Sequence, residues 1–230
     1  MKPKLALLVA LVVSPLSHAA EMNTLSADEA AAGWQLLFDG QSTEGWRNYQ
    51  ASTISPGWQV VDGTLARVGQ AGDLVTIAEY GNFELQLEWR VETGGNSGVF
   101  IRAGEDDPYI FMSAPEVQML DDANHRDGQS PLTSAGSNYA LHPVERGIAH
   151  AAGNWNRLRI LVDGNLVVQW LNGREVVRYE LGSADWRARV RNSKFSAWPN
   201  YGALRRGHIG LQDHGDPVAF RNVKIRNLAD

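Results

Sequence analysis

The chain of 230 residues carries 26 acidic against 21 basic side chains, eight tryptophans and no cysteine. A net charge of −5 without a basic run argues against nucleic acid or an anionic membrane as partner. The missing thiols exclude disulfides, thiol catalysis and thiolate metal sites, and a domain of this length can bury its core without such staples.

Lys2 and Lys4, the apolar run Leu5 to Val13 and the small-x-small Ser17-His18-Ala19 predict a secretory signal peptide over residues 1–19, too short to cross a bilayer. Cleavage near Ala19 or Ala20 leaves a single domain over 20–230, takes the net charge from −5 to −7, and implies a periplasmic or secreted protein. No later apolar run is long enough to span a membrane. Ser26 followed by Glu29 is a capping box, which predicts a short helix leading into the domain.

Beyond it the pattern is strand. Phe83 to Val91 alternates throughout, five apolar residues against Glu84, Gln86, Glu88 and Arg90. Val99 to Arg102, Glu116 to Leu120, Leu158 to Val162, Leu166 to Trp170 and Glu175 to Tyr179 follow, with turn signals at Asp62-Gly63, Gly94-Gly95, Asp163-Gly164-Asn165 and Asn172-Gly173. Residues 158–179 read as a three-stranded meander. Many short strands with regular turns indicate an all-β protein, best fitted by a jelly-roll β-sandwich whose curved sheet holds a site. Residues 121–153 and 182–206 read as long ordered loops framing a cleft. Trp34, Trp46, Trp58, Trp89 and Trp155 are expected in the core.

Two strands look unusual. In Gly207-His-Ile-Gly-Leu-Gln-Asp-His-Gly215, Ile209 and Leu211 fall on one face, and His208, Gly210, Gln212 and His214 on the other. In Glu116-Val-Gln-Met-Leu-Asp121, Val117 and Met119 oppose Glu116 and Gln118. A merely solvated face would carry Lys, Glu, Thr or Ser; imidazoles and amides are groups that hold a ligand.

These segments also carry a resemblance. Trp34-Gln-Leu-Leu-Phe-Asp-Gly40, Gly57 to Leu65, Asn96-Ser-Gly-Val-Phe-Ile-Arg102, Glu116 to Asp121, Trp155-Asn156, Trp170-Leu-Asn-Gly173, Lys194-Phe195 and the closing run to Phe220-Arg-Asn222 occur in one order across nearly the whole mature chain. In that order they resemble the 3-keto-disaccharide hydrolase domain family. The resemblance implies a concanavalin-like β-sandwich acting on oxidised sugars, with no cofactor, and a sugar oxidoreductase as functional partner, since this chain has no dinucleotide fingerprint. Laminarinase-type glycosidases of the same fold use E-x-D-x-x-E. Here the middle acid is Gln118 and the last is the shorter Asp121, which disfavours ordinary retaining hydrolysis.

A 3-keto sugar needs no matched carboxylate pair. Its ketone acidifies the C2 hydrogen, so a base, an enolate stabiliser and an acid for the leaving group suffice. Glu116 and His214 are the base and acid candidates, and Asp121 could orient an imidazole or bind hydroxyls. Arg102 and Lys194 could stabilise the oxyanion, Gln118 and Gln212 fix hydroxyls, Tyr139 close over the sugar and Trp198 offer a platform. Asp213 reads as a turn residue. His125, His142 and His150, with Asp121, Asp122 and Asp127, match no known metal-site spacing, and none is expected. A lectin-like module and an ordinary glycosidase stay open as alternatives.

Overall fold

The computed structural model describes residues 22–229; the expected signal peptide lies outside them. Helix α1 (Ala27–Ala31) starts with the capping box: the Ser26 hydroxyl accepts from the Glu29 amide at 3.2 Å, and the Glu29 carboxylate accepts from the Ser26 amide at 3.0 Å. The strands are β1 (Trp34–Leu36), β2 (Trp46–Asn48), β3 (Trp58–Val61), β4 (Thr64–Arg67), β5 (Leu74–Tyr80), β6 (Phe83–Val91), β7 (Asn96–Ala103), β8 (Glu116–Leu120), β9 (Asn156–Asp163), β10 (Leu166–Leu171) and β11 (Arg174–Glu180). Helix α2 (Ala184–Arg191) comes next, and β12 (Gly207–Leu211) and β13 (Val218–Asn227) close the chain.

They form two antiparallel sheets. One runs β11-β10-β9-β6-β13-β4-β3, with β1 on the free edge of β13; the other runs β2-β5-β12-β7-β8. The predicted meander is β9-β10-β11, and Asn172 and Gly173, both at positive φ (51° and 83°), make the two-residue turn between its last strands. The alternation of β6 puts Leu85, Leu87 and Trp89 into the core. On its opposite face Glu84 pairs with Arg159 and Arg226, and Glu88 with Arg221. From the smaller sheet Leu74, Val99, Ile101, Val117, Met119, Ile209 and Leu211 enter the same core. The result is a jelly-roll β-sandwich.

Two expectations need correction. Residues 182–206 are not all loop: Ser183 caps α2, its hydroxyl accepting from the Trp186 amide at 3.0 Å, and Lys194–Ala197 forms a 3₁₀ turn. Trp186 is the one fully buried residue of α2, so the helix shows no apolar periodicity to read. Trp155 is not core. It lies half-buried on the outer face of the larger sheet, with the Arg221 and Arg90 guanidinium groups 4.1 and 5.0 Å from its ring centre.

Candidate active site

The outer face of the smaller sheet holds the site, and the pairing register builds it row by row. In one row Gln212 stands beside Gly98, its amide donating to the Gly98 carbonyl at 2.9 Å, and Gly98 stands opposite Gln118. In the next row Gly210, Phe100 and Glu116 are neighbours. Both glycines make room for a side chain that approaches closely. A Cβ on Gly98 would lie 2.3 Å from Glu116 Oε1, so the missing side chain is the space into which Glu116 leans. A Cβ on Gly210 would lie 2.5 Å from Ile110 Cδ1. Ile110 belongs to a segment that folds down onto the sheet and, with Ala114, packs against Val75, Phe100 and Ala103. This plug covers one half of the face and leaves the Gln212–Gly98–Gln118 half open.

There a cavity of about 190 Å³ brings together six of the predicted residues: Glu116, Gln118, Tyr139, Lys194, Gln212 and His214. Asn96, Phe111 and Asp127 complete its wall. A larger hollow of about 330 Å³ surrounds Trp155. The groups there already satisfy one another, Asn156 Oδ1 accepting from the His150 and Asn172 nitrogens and Arg221 pairing with Glu88, so the smaller cavity is the stronger candidate.

Its electrostatics centre on Glu116. Burial pushes the pKa up to about 8, although the charge of Lys194 and a hydrogen bond from Gln212 pull it down. The Lys194 ammonium lies 4.5 Å from the centre of the Tyr139 ring, and the Tyr139 hydroxyl donates to Asp127 at 3.2 Å. Burial, with the charges of Asp127 and Glu116, pushes the Tyr139 phenol up to about 12, so it remains a donor. His214 Nδ1 is 3.4 Å from Asp216, and its ring meets that of His125 edge-on at 5.8 Å. Asn96 Oδ1 and Gln212 Oε1 are buried acceptors with no protein partner among the described residues. They suit the hydroxyl groups of a ligand.

Three predicted residues are elsewhere. Arg102 does not line the cavity: between the pairs Ala103–His208 and Phe100–Gly210 the β7 strand carries one extra residue, and Arg102 takes φ 50° at that bulge. Its guanidinium turns away to donate to the Gly81 carbonyl at 2.8 Å and to Asn82 at 3.2 Å. Asp121 leaves the face because β8 ends at Leu120. Its carboxylate instead fixes a turn, accepting from the Gly94 and Ala123 amides and the Asn124 side chain at 2.9, 3.1 and 2.7 Å. These bonds hold it below the usual carboxylate range against the opposing effect of burial. Trp198 stands behind Phe111, ring centres 5.3 Å apart, rather than in the cavity wall.

Asp213 anchors its loop, as a turn residue would, by pairing with Arg67 and accepting the Ala71, Gly72 and Gly215 amides. The histidines weighed for metal are separate: His125 caps a 3₁₀ turn, His142 stacks on Tyr179, and His150 Nδ1 meets the Trp155 carbonyl.

One carboxyl escaped sequence reasoning. Asp73, one residue beyond the Leu74–Leu211 pair, stands beside Gln212 and accepts the Asp213 amide at 2.8 Å. Burial pushes it up to about 6. Its only signal is register across distant strands. Asn96 did lie within a matched motif, whereas Phe111 and Asp127 sit in segments with no periodicity.

A family described as the 3-keto-alpha-glucoside-1,2-lyase-like domain matches residues 33–226, and the chain belongs to that family. It is 36% identical to a 3-keto-disaccharide hydrolase of Bacteroides thetaiotaomicron across 96% of this chain and 87% of that protein. A proposed glycosyl hydrolase from Parabacteroides distasonis superimposes with a TM-score of 0.84 at 34% identity, covering 91% of this chain and all of that one. A galectin-like protein from Bacillus subtilis, 11% identical with a TM-score of 0.53 over 90% of this chain and 95% of its own, shares the fold alone.

Proposed function

We propose that this protein cleaves 3-keto-glycosides by elimination followed by hydration. Glu116, ionised, takes the proton from C2, and the C–H electrons pass into the C2–C3 bond as the ketone becomes an enolate. The Lys194 ammonium stabilises that oxygen. The enolate then expels the group on C1, which takes a proton from His214. Water adds to the resulting enone, oxygen to C1 and hydrogen to C2, so the net change is hydrolysis. Asn96 and Gln212 accept sugar hydroxyls. The name of the Bacteroides relative supports the substrate class.

The observation that carries this reading is the placement of Glu116: a buried carboxyl sharing one cavity with the amides of Gln118, two residues along its own strand, and Gln212, its pKa pushed up to about 8 by burial. A base poised near the operating pH suits proton abstraction. Displacement at C1 instead needs an ionised nucleophile at rest with a partner acid. Because the substrate must first be oxidised at C3, a sugar oxidoreductase in the same compartment supplies it, and the expected signal peptide over 1–19 supports a compartment outside the cytoplasm. Among the described residues no helix is long and apolar enough to cross a membrane.

Turnover of a 3-keto-glucoside in deuterated water tests the mechanism. Elimination and hydration put deuterium at C2, beyond what the free product exchanges by itself, and the unoxidised parent stays nearly inert. Product without deuterium at C2, or equal cleavage of both glycosides, would rule the route out.

A further inference from the structure

An aromatic shelf leads away from the cavity on the side of Phe111. The Tyr109 ring stacks on Phe111 with centres 5.3 Å apart and planes within 4°, and Trp198 backs Phe111 from another direction, also at 5.3 Å. Tyr109 is 57% exposed and is the one aromatic among the exposed large apolar residues described. It therefore contributes little to any core. Nor is it a loose loop side chain: its carbonyl accepts the Met112 amide at 3.0 Å, Ile110 beside it is fully buried, and the Ser113 hydroxyl accepts the Gly104 amide at 3.1 Å. A half-open ring stacked on Phe111, itself part of the wall of a polar cavity, is a surface for another ring.

Size says which ring. A cavity of about 190 Å³ has room for one pyranose. Clefts that enclose larger ligands start near 300 Å³. With the reacting sugar against Glu116 on the floor, the group on C1 must extend through the mouth. We propose that Tyr109 and Phe111, backed by Trp198, form the leaving-group subsite, and that it takes a leaving group presenting a ring face, a second pyranose or an aryl group. The proposal rests on the cleavage of 3-keto-glycosides proposed above. It adds a preference that the catalytic groups alone do not impose.

Steady-state kinetics on the methyl, phenyl and glucosyl glycosides of 3-keto-glucose test it with Tyr109→Ala and Tyr109→Phe. Tyr109→Ala is expected to raise KM for the ring-bearing substrates about three- to tenfold more than for the methyl glycoside, the scale of one lost ring contact. Tyr109→Phe should keep the wild-type ratio. An effect on the glucosyl or the phenyl substrate alone says which ring the shelf holds. An equal change for all three substrates overturns the proposal, because the ring then only supports its loop. If the wild type cleaves none of them, the catalytic reading fails. The shelf is then judged by calorimetric titration of the unoxidised phenyl and methyl glucosides. Binding of the phenyl glucoside that Tyr109→Ala weakens selectively upholds it, and indifference to the substitution overturns it.

Discussion

Glu116 concentrates the conflict between stability and chemistry at one residue. Its folded pKa of about 8 stands above the ordinary 4.5, so the folded protein keeps a proton that the unfolded chain releases. Between about pH 4.5 and about 8 the folded state binds more protons, and stability falls as pH rises through that window. Glu116→Gln removes the titration while keeping the shape. The variant should gain stability over the wild type from pH 5 to pH 8, measured by urea unfolding, while turnover drops by about a hundredfold. A stability difference that does not change with pH would mean the carboxyl is solvated. As the proposed base, Glu116 also requires a rising limb in the pH profile of wild-type kcat/KM, and His214 as the acid adds a falling limb above it. A profile with no rising limb would take the base role from Glu116.

At the scale of single elements, alternation was a good guide wherever the strand was regular. Glu116 and Gln118 on β8 share a face with Gln212, as their two-residue spacing required, and Val117, Met119, Ile209 and Leu211 are core. The same logic misplaced Arg102, because a bulge adds one residue to β7 and no periodicity announces it. Asp121 was placed instead by comparison with the E-x-D-x-x-E pattern, and β8 ends at Leu120, in regular register, before it. The fold class was legible from turns and alternation, whereas Asp73 depends on register between strands far apart in the chain, and the Tyr109–Phe111 shelf sits on an irregular segment whose fold-back no periodicity announces. Gly98 shows what register demands of a residue with no chemistry of its own. Gly98→Ala puts a methyl group where Glu116 Oε1 now sits, 2.3 Å from the added carbon. Activity should fall at least tenfold, the scale for a misplaced reacting group, with a smaller change in thermal midpoint. Wild-type activity in that variant would show that the observed position of Glu116 is not the working one.

Over the whole molecule, both long connections that wall the cavity are tied to one column of rings. His142 stacks on Tyr179 of β11 at 4.7 Å, Tyr179 on Trp186 of α2 at 5.3 Å, Trp186 on Tyr201 at 5.8 Å, and Tyr201 on Phe195 at 4.0 Å, next to Lys194. The column begins in the segment that carries Asp127 and Tyr139 and ends in the one that carries Lys194, so its integrity sets the shape of the cavity. Its first ring titrates. Burial, aided by the charge of Arg189, lowers His142 from 6.5 to about 4, with Asp185 opposing at 3.5 Å. Below pH 6.5 the unfolded chain takes up a proton that the folded protein refuses, so stability is lost as pH falls from about 6.5 towards 4, the opposite sign to Glu116. His142→Phe keeps a flat ring in the column and removes the proton. It also loses the 2.9 Å contact with the Asn138 side chain, so its stability should be lower near pH 7 but flatter with pH below 6.5. Urea midpoints at pH 7, 6 and 5 compare the slopes directly. Parallel slopes for the two proteins would show that His142 protonates in the folded state as readily as in the unfolded chain, and the acid sensitivity of the fold would then have to come from its carboxylate network.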